Sequence, residues 1–334
     1  MITLLSACAA SGPVVLVGGL VDGTPTELRV EDGRFTAVGP TVDREGARVV
    51  EIAGQHVVPA FVDAHVHLAY LPQTDAMLDG GIAAVVDWAA PLNRMSSPDR
   101  DLQHLPSGPM LTAPGGYPTT SWGRDGYGLE TPPEDVEAAV GRLVDAGARV
   151  IKVPLQSPPW YDGPTLARIV AAASARGREV GVHALTADAT RAACDAGAQI
   201  LVHTPVEALP AETIAACART TVITTLTAFG RGEATLANLR ALREAGATVV
   251  YGTDFGNTRT AGIQEAELQA MRDAGMDGAA ILAAGTSVPA GRFGFELGIA
   301  SGMPASFLVL DADPRVDPSV LARPRRVWIA GEAR

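Results

Sequence analysis

Eight short apolar runs recur along the middle of the chain, and no other feature restricts the fold as much. They occupy residues 57–62, 82–86, 110–113, 150–153, 180–182, 200–202, 222–226 and 249–251, with Ala-rich amphipathic helices between most of them. A strand that is apolar throughout is buried on both faces, the condition of a parallel sheet covered by helices. Eight such strands fit an α/β chain folded as a (β/α)8 TIM-like barrel. Three stretches, Ala146-Gly147-Ala148, Ala196-Gly197-Ala198 and Ala245-Gly246-Ala247, each end a helix and feed a strand. Those three strands run out at Lys152, His203 and Asp254, and in a barrel such C-terminal strand ends form the active-site face.

The chain ends read differently. Residues 14–20 are apolar, Asp22-Gly23 marks a turn, and residues 28–30 lead into Asp32-Gly33, a hairpin signal. Residues 306–310 and 326–330 also read as strands. The expected organisation is an N-terminal extension (1–13), a small β-sandwich domain built from both ends (14–56 with 299–334), and the barrel (57–298). Within the barrel, Thr131-Pro132-Pro133-Glu134 reads as a capping box, and Gly147 as the left-handed residue closing the helix that follows.

Composition narrows the function classes. The 334 residues are 47% hydrophobic and 19% charged, with a formal net charge of −11. That balance supports a large core and gives no electrostatic footprint for nucleic acid or an anionic membrane. No apolar run is long enough to span a bilayer, so no transmembrane segment is expected. Cys194 and Cys217 sit in Ala-rich stretches and read as buried small residues, with no disulfide framework. Leu5-Ser6-Ala7-Cys8 resembles a bacterial lipoprotein cleavage box, but only seven residues precede Cys8 and none is basic. The expected compartment is therefore cytoplasmic, with lipidation at Cys8 as the alternative if the true start lies upstream.

His65 and His67 stand two apart, so on an extended strand both imidazoles project to one side and can ligate one cation. Lys152, His183, His203 and Asp254 then fall at the ends of later strands. Four of the chain's six histidines occupy such positions. A single one would read as a hydrogen-bonded core histidine, whereas four in register with a carboxylate point to a metal site. His56, on the N-terminal side of the first barrel strand, and His104, in a polar loop, read as exposed or structural.

Pro59-Ala60-Phe61-Val62-Asp63-Ala64-His65-Val66-His67 resembles the opening signature of the amidohydrolase superfamily, usually with glycine at the place of Ala60. Ile151-Lys152-Val153, His183-Ala184, Val202-His203 and Gly252-Thr253-Asp254 match its later strands in order. The segment 111–118 is similar to the third-strand loop of the branch with imidazolonepropionase-like and Xaa-Pro dipeptidase-like enzymes, where histidine often replaces Tyr117. The resemblance implies two divalent metal ions, most simply Zn2+. His65, His67 and Asp254 would hold the more buried ion, and His183 and His203 the other. Lys152, carboxylated by carbon dioxide, would bridge them, and the alternative is a plain lysine paired with Asp254 over one metal. It further implies C–N hydrolysis of a small amide, cyclic amide or N-acyl amino acid through a metal-bridging hydroxide, with Asp254 as general base and acid. Asp63 would support the site without ligating.

Substrate choice is expected from the strand-to-helix loops, which carry Tyr117, Arg124, Tyr127, Trp160, Tyr161, Phe229, Asn257 and Arg259. Tyr117 and Arg259 lead these as substrate contacts. The competing readings are an Xaa-Pro dipeptidase or lactonase on the same site, or a non-catalytic binding or assembly protein, which would be expected to have lost ligands. The partner is a small molecule, and a homo-oligomer is compatible with the sequence.

Overall fold

The structure is a computed structural model that describes residues 12–96, 99 and 101–334; Cys8 and its flanking box lie outside the described residues. Five strands open it: β1 (Val14–Val21), β2 (Thr24–Glu31), β3 (Arg34–Gly39), β4 (Arg48–Glu51) and β5 (His56–Pro59). The central strands follow: β6 (Phe61–Val66), β7 (Ile82–Asp87), β8 (Gln103–Pro106), β9 (Met110–Thr112), β10 (Gly128–Glu130), β11 (Ile151–Pro154), β12 (Val180–His183), β13 (Ile200–Leu201), β14 (Thr221–Ile223) and β15 (Thr248–Val250). The C-terminal strands are β16 (Phe307–Leu310), β17 (Arg326–Ile329) and β18 (Glu332–Ala333). Between them run α1 (Thr74–Asp79), α2 (Val136–Asp145), α3 (Gly163–Ala175), α4 (Ala187–Asp195), α5 (Ala211–Ala216), α6 (Glu233–Ala245), α7 (Glu265–Asp273), α8 (Gly278–Gly285) and α9 (Ser287–Phe293).

Both ends of the chain enter one sheet, apart from the barrel. β1, β2 and β3 form antiparallel hairpins through Asp22-Gly23 and Asp32-Gly33. All four turn residues have positive φ, as two-residue hairpin turns of this hand require. β16 pairs with β17 and with β5, and β5 runs beside β1, which gives the order β18-β17-β16-β5-β1-β2-β3 with β4 attached to β1. Leu16, Leu28, Phe35, Phe307 and Trp328 share the core of this sheet. The Phe307 and Trp328 rings stack with centroids 5.5 Å apart.

The remaining strands make a TIM-like barrel. β6-β7-β8 and β11-β12-β13-β14-β15 are parallel sheets, and β9 pairs with β10. Backbone bonds join their edges: Ala64 N–H donates to Tyr251 O at 3.0 Å and Arg149 N–H to Pro106 O at 2.9 Å. Two expected strands are drawn differently. The run 57–62 divides at Ala60, because Val57 packs in the core of the composite sheet and Phe61 in that of the barrel. The strand paired to β7 is β8, not residues 110–113, which pair with β10. His104 therefore lies on β8, not in a polar loop, with its buried Nε2 3.2 Å from Asp87 Oδ2.

The glycine-ended helices stop in one way. Gly147, Gly197 and Gly246 have φ of 109°, 81° and 110°. In each case the next residue donates back to the carbonyl five earlier: Ala148 to Leu143, Ala198 to Ala193, Ala247 to Leu242. This closure needs a left-handed residue, which glycine adopts without a Cβ penalty. The expected capping box does not form. Pro132, preceding another proline, is held extended at ψ 150°, and α2 begins only after a 3-10 turn at Pro133–Asp135.

Cys194 and Cys217 are joined in a disulfide, with Cα atoms 5.3 Å apart, which corrects their reading as unpaired residues. Cys194 lies in α4 and Cys217 directly follows α5, so the bridge ties two successive barrel helices. Among the described residues no helix is long and apolar enough to cross a membrane.

Candidate active site and metal centre

His65 near the end of β6, Lys152 in β11 and His183 at the end of β12 meet His67, His203 and Asp254, which lie just past β6, β13 and β15. All six are buried, none more than 7% exposed. His65 Nε2 and His67 Nε2 lie 3.5 and 3.1 Å from Asp254 Oδ1. Lys152 Nζ is 3.3 Å from His65 Nε2. The His203 ring stacks on His65 at 4.4 Å and meets His183 edge-on at 4.6 Å.

Hydrogen bonds hold three of the four rings from behind, whereas His67 Nδ1 is buried without a partner. His65 Nδ1 donates to Val202 O at 2.7 Å, leaving the Nε2 lone pair toward Asp254. His203 Nδ1 lies 2.9 Å from Thr225 Oγ1. His183 Nε2 donates to Gln156 Oε1, which leaves Nδ1 free. Thr225, at φ 40°, follows β14, a strand that supplies no ligand candidate. Its loop is held by buried Glu267 of α7, which accepts from Leu226 N at 2.8 Å and Thr227 N at 2.9 Å.

Asp254 Oδ1 is buried and has no hydrogen-bond donor. Its oxygen faces both imidazole nitrogens and meets the inward lone pair of His65 Nε2, an arrangement that a cation between them would relieve. His65, His67 and Asp254 each offer a ligand atom within 4.8 Å of the others, so the donor set fits a metal ion. Asp254 itself takes φ 54°, with Oδ2 accepting from Asn257 Nδ2 at 3.1 Å.

The electrostatics disfavour the protonated form of three of the imidazoles. Burial, reinforced by the charge of Lys152, holds His65 and His183 well below the usual histidine range; burial and the neighbouring rings do the same for His203. Burial also pulls the Lys152 ammonium down to about 7, against the opposing pull of Asp254 and Asp87. Lys152 is the only lysine in the chain. Its Nζ lies 5.8 Å from the Trp88 ring centroid. Trp88 fits because residue 181 is glycine: a Cβ there would stand 2.5 Å from the indole. Asp63 accepts from His65 N, Thr253 N and Thr253 Oγ1, tying the first strand to the loop bearing Asp254. Burial lifts its carboxyl to about 7 despite these donors.

Above the six residues opens a cleft of about 290 Å³. Of the loop residues singled out by sequence, Tyr117, Phe229, Asn257 and Arg259 line it. Tyr127 and Tyr161 are instead buried supports, donating to Ala69 O and to Thr112 and Thr131 O. Trp160 packs on the barrel core, and neither it nor exposed Arg124 lines the cleft. His56 merely begins β5. Sequence reasoning passed over Tyr70, Met110, Trp122 and Gln156, all in the lining. Trp122 donates to Tyr117 Oη at 2.7 Å, and its place among loop aromatics was the one signal available.

Residues 56–334 match the amidohydrolase family. An uncharacterised protein of Mycobacterium tuberculosis strain H37Rv is 27% identical over 359 aligned residues, covering 94% of this chain and 93% of its own. A solved Xaa-Pro dipeptidase with methionine bound in its active site superimposes with a TM-score of 0.81 at 18% identity, covering 96% of this chain and 99% of that one. A prolidase complexed with N-methylphosphonate-L-proline superimposes at 0.77 and 22% identity, with 96% and 99% covered.

Proposed function

The chain belongs to the amidohydrolase family and is a hydrolase of carbon–nitrogen bonds; from that premise we propose that it cleaves the C–N bond of a small amide or cyclic amide, with Asp254 as general base and acid. One observation carries this reading: the donorless, buried Oδ1 of Asp254 facing two imidazole nitrogens at the floor of a cleft. His65, His67 and Asp254 would hold one divalent cation, and His183 and His203 a second, with zinc best suited to the donors. When bound, such cations acidify water and polarise a carbonyl.

The chain's own residues do the rest. Asp254 accepts a proton from the water that adds to the scissile carbonyl, and returns it to the nitrogen as the C–N bond breaks. Asp63 fixes the loop that carries Asp254. Thr225 and Gln156 hold His203 and His183 in one tautomer. Tyr117 and Arg259 contact the substrate. Lys152, whose ammonium burial pulls down to about 7, would add its amine nitrogen to carbon dioxide with release of one proton, and the resulting carbamate would join the histidines and Asp254 in holding the cations.

The second reading, a dipeptidase of the Xaa-Pro type on the same site, is favoured by the guanidinium of Arg259 at the cleft rim. A non-catalytic assembly role fits poorly with a complete donor set. We further read the barrel as an eight-stranded (β/α)8 unit over residues 57–298, less the few residues of β5, and the composite sheet as a β-sandwich.

The chain's single lysine makes the test clean. In 13C-bicarbonate, carbon NMR should show one side-chain carbamate signal that is lost in Lys152→Arg, and elemental analysis should give two equivalents of metal. Purified protein with no bound zinc, nickel or manganese and no hydrolysis of an amide panel would sink the reading.

A further inference from the structure

We propose that Arg259, whose guanidinium lies over the Tyr70 ring, is a carboxylate-reading subsite. The cleft would then take amides with a carboxylate on one arm and a planar apolar group on the other. The inference rests on the hydrolytic reading above and names its substrate class.

Arg259 is exposed at the cleft mouth, its guanidinium carbon 5.9 Å from the Tyr70 ring centroid. This cation–π approach leaves the guanidinium N–H donors unfilled. Among the described residues no carboxylate pairs with it, although the chain has 37 acidic residues and a net charge of −11. Some exposed arginines are paired, such as Arg168 with Glu137 and Arg191 with Asp195, whereas others, such as Arg124 and Arg231, have no carboxylate partner among the described residues. The only other cationic side chain in the lining is Lys152, buried at the floor. A guanidinium with free donors can meet a carboxylate with two hydrogen bonds at once. A single cation suits a monoanion better than a dianion.

Much of the remaining lining is aromatic, beside Met110, Gln156 and Asn257, in a chain with only 5% aromatic residues. Starting from Tyr70, ring centroids run to Trp122 at 5.6 Å, to Tyr117 at 6.1 Å, to His183 at 5.8 Å and to Phe229 at 6.0 Å. Arg259 stands at one end of this arc, which curves over the donor set. A substrate with its amide over Asp254 can thus place a flat apolar group on the rings and an acid on Arg259.

N-Benzoylglycine and N-benzoylglycinamide differ only in the carboxylate and test this directly. The metal-loaded enzyme should prefer the acid about 30-fold in kcat/KM, the worth of a charge-assisted hydrogen-bonded pair. Arg259→Gln should bring that ratio near one, mostly through KM, while Arg259→Lys keeps part of it. A ratio unaltered in Arg259→Gln, or equal use of both compounds by the native enzyme, overturns the proposal. Calorimetry with 3-phenylpropanoate and 3-phenylpropanamide supplies a second readout. A carboxylate preference abolished by Arg259→Gln supports the subsite, and one that survives it overturns the subsite by assigning the acid elsewhere. Failure of every amide to hydrolyse, with that binding preference intact, would sink the hydrolytic reading and leave the subsite standing.

Discussion

The floor of the cleft and its rim are built by different rules. On the floor, His65, Lys152, His183, His203 and Asp254 arrive on five different strand ends, buried, and all three of these histidines are tied from behind by a carbonyl, a carboxamide or a hydroxyl. At the rim, Tyr70, Trp122 and Arg259 ride on loops and meet through ring contacts, while Phe229 packs against His183 and His203. Backbone register fixes the first set, and side-chain packing alone fixes the second. The reaction centre is thus insulated from changes in the loops that would choose a substrate.

Three measurements would break or sharpen that division. Asp254→Asn removes the carboxylate while keeping its shape, and kcat should fall about 10³-fold, the usual worth of a positioned acid–base group. Retention of more than a tenth of the native kcat would mean that the floor is wrongly drawn. Next in size is the bridge behind the floor. Replacing Cys194 and Cys217 together by serine frees the helices that follow the strands of His183 and His203, at a cost of about 3 kcal/mol. Thermal melts should fall with kcat/KM ratios between substrates unmoved; an unchanged melting temperature would show that the bridge braces nothing. Smallest is Trp122→Ala at the rim, expected to raise KM about tenfold with little change in kcat, as loss of a binding contact should. A fall in kcat comparable to that of Asp254→Asn would erase the distinction.

The same division explains what the sequence could reveal. Ligands at strand ends are legible because strand periodicity and helix stops place them, as Gly147, Gly197 and Gly246 do ahead of Lys152, His203 and Asp254. Tyr70 and Trp122 carry no such mark, since their meeting depends on how separate loops pack. The division of residues 57–62 at Ala60 is hidden because both halves are apolar, with Val57 buried in one core and Val58 and Phe61 in the other. β8 was missed because Gln103-His104-Leu105-Pro106 reads as polar, and only the buried Asp87 partner makes His104 an interior residue. The Cys194–Cys217 bridge joins neighbours around the barrel, a proximity absent from the one-dimensional spacing.

The solitary lysine has a practical corollary. With Lys152 buried at the cleft floor and 25 arginines supplying the rest of the basic charge, the described surface offers amine-directed reagents no side chain. Succinimidyl esters and lysine cross-linkers would pass over it. A reagent slender enough to reach the floor would modify a single side-chain amine, so that loss of turnover could be counted against one label per molecule.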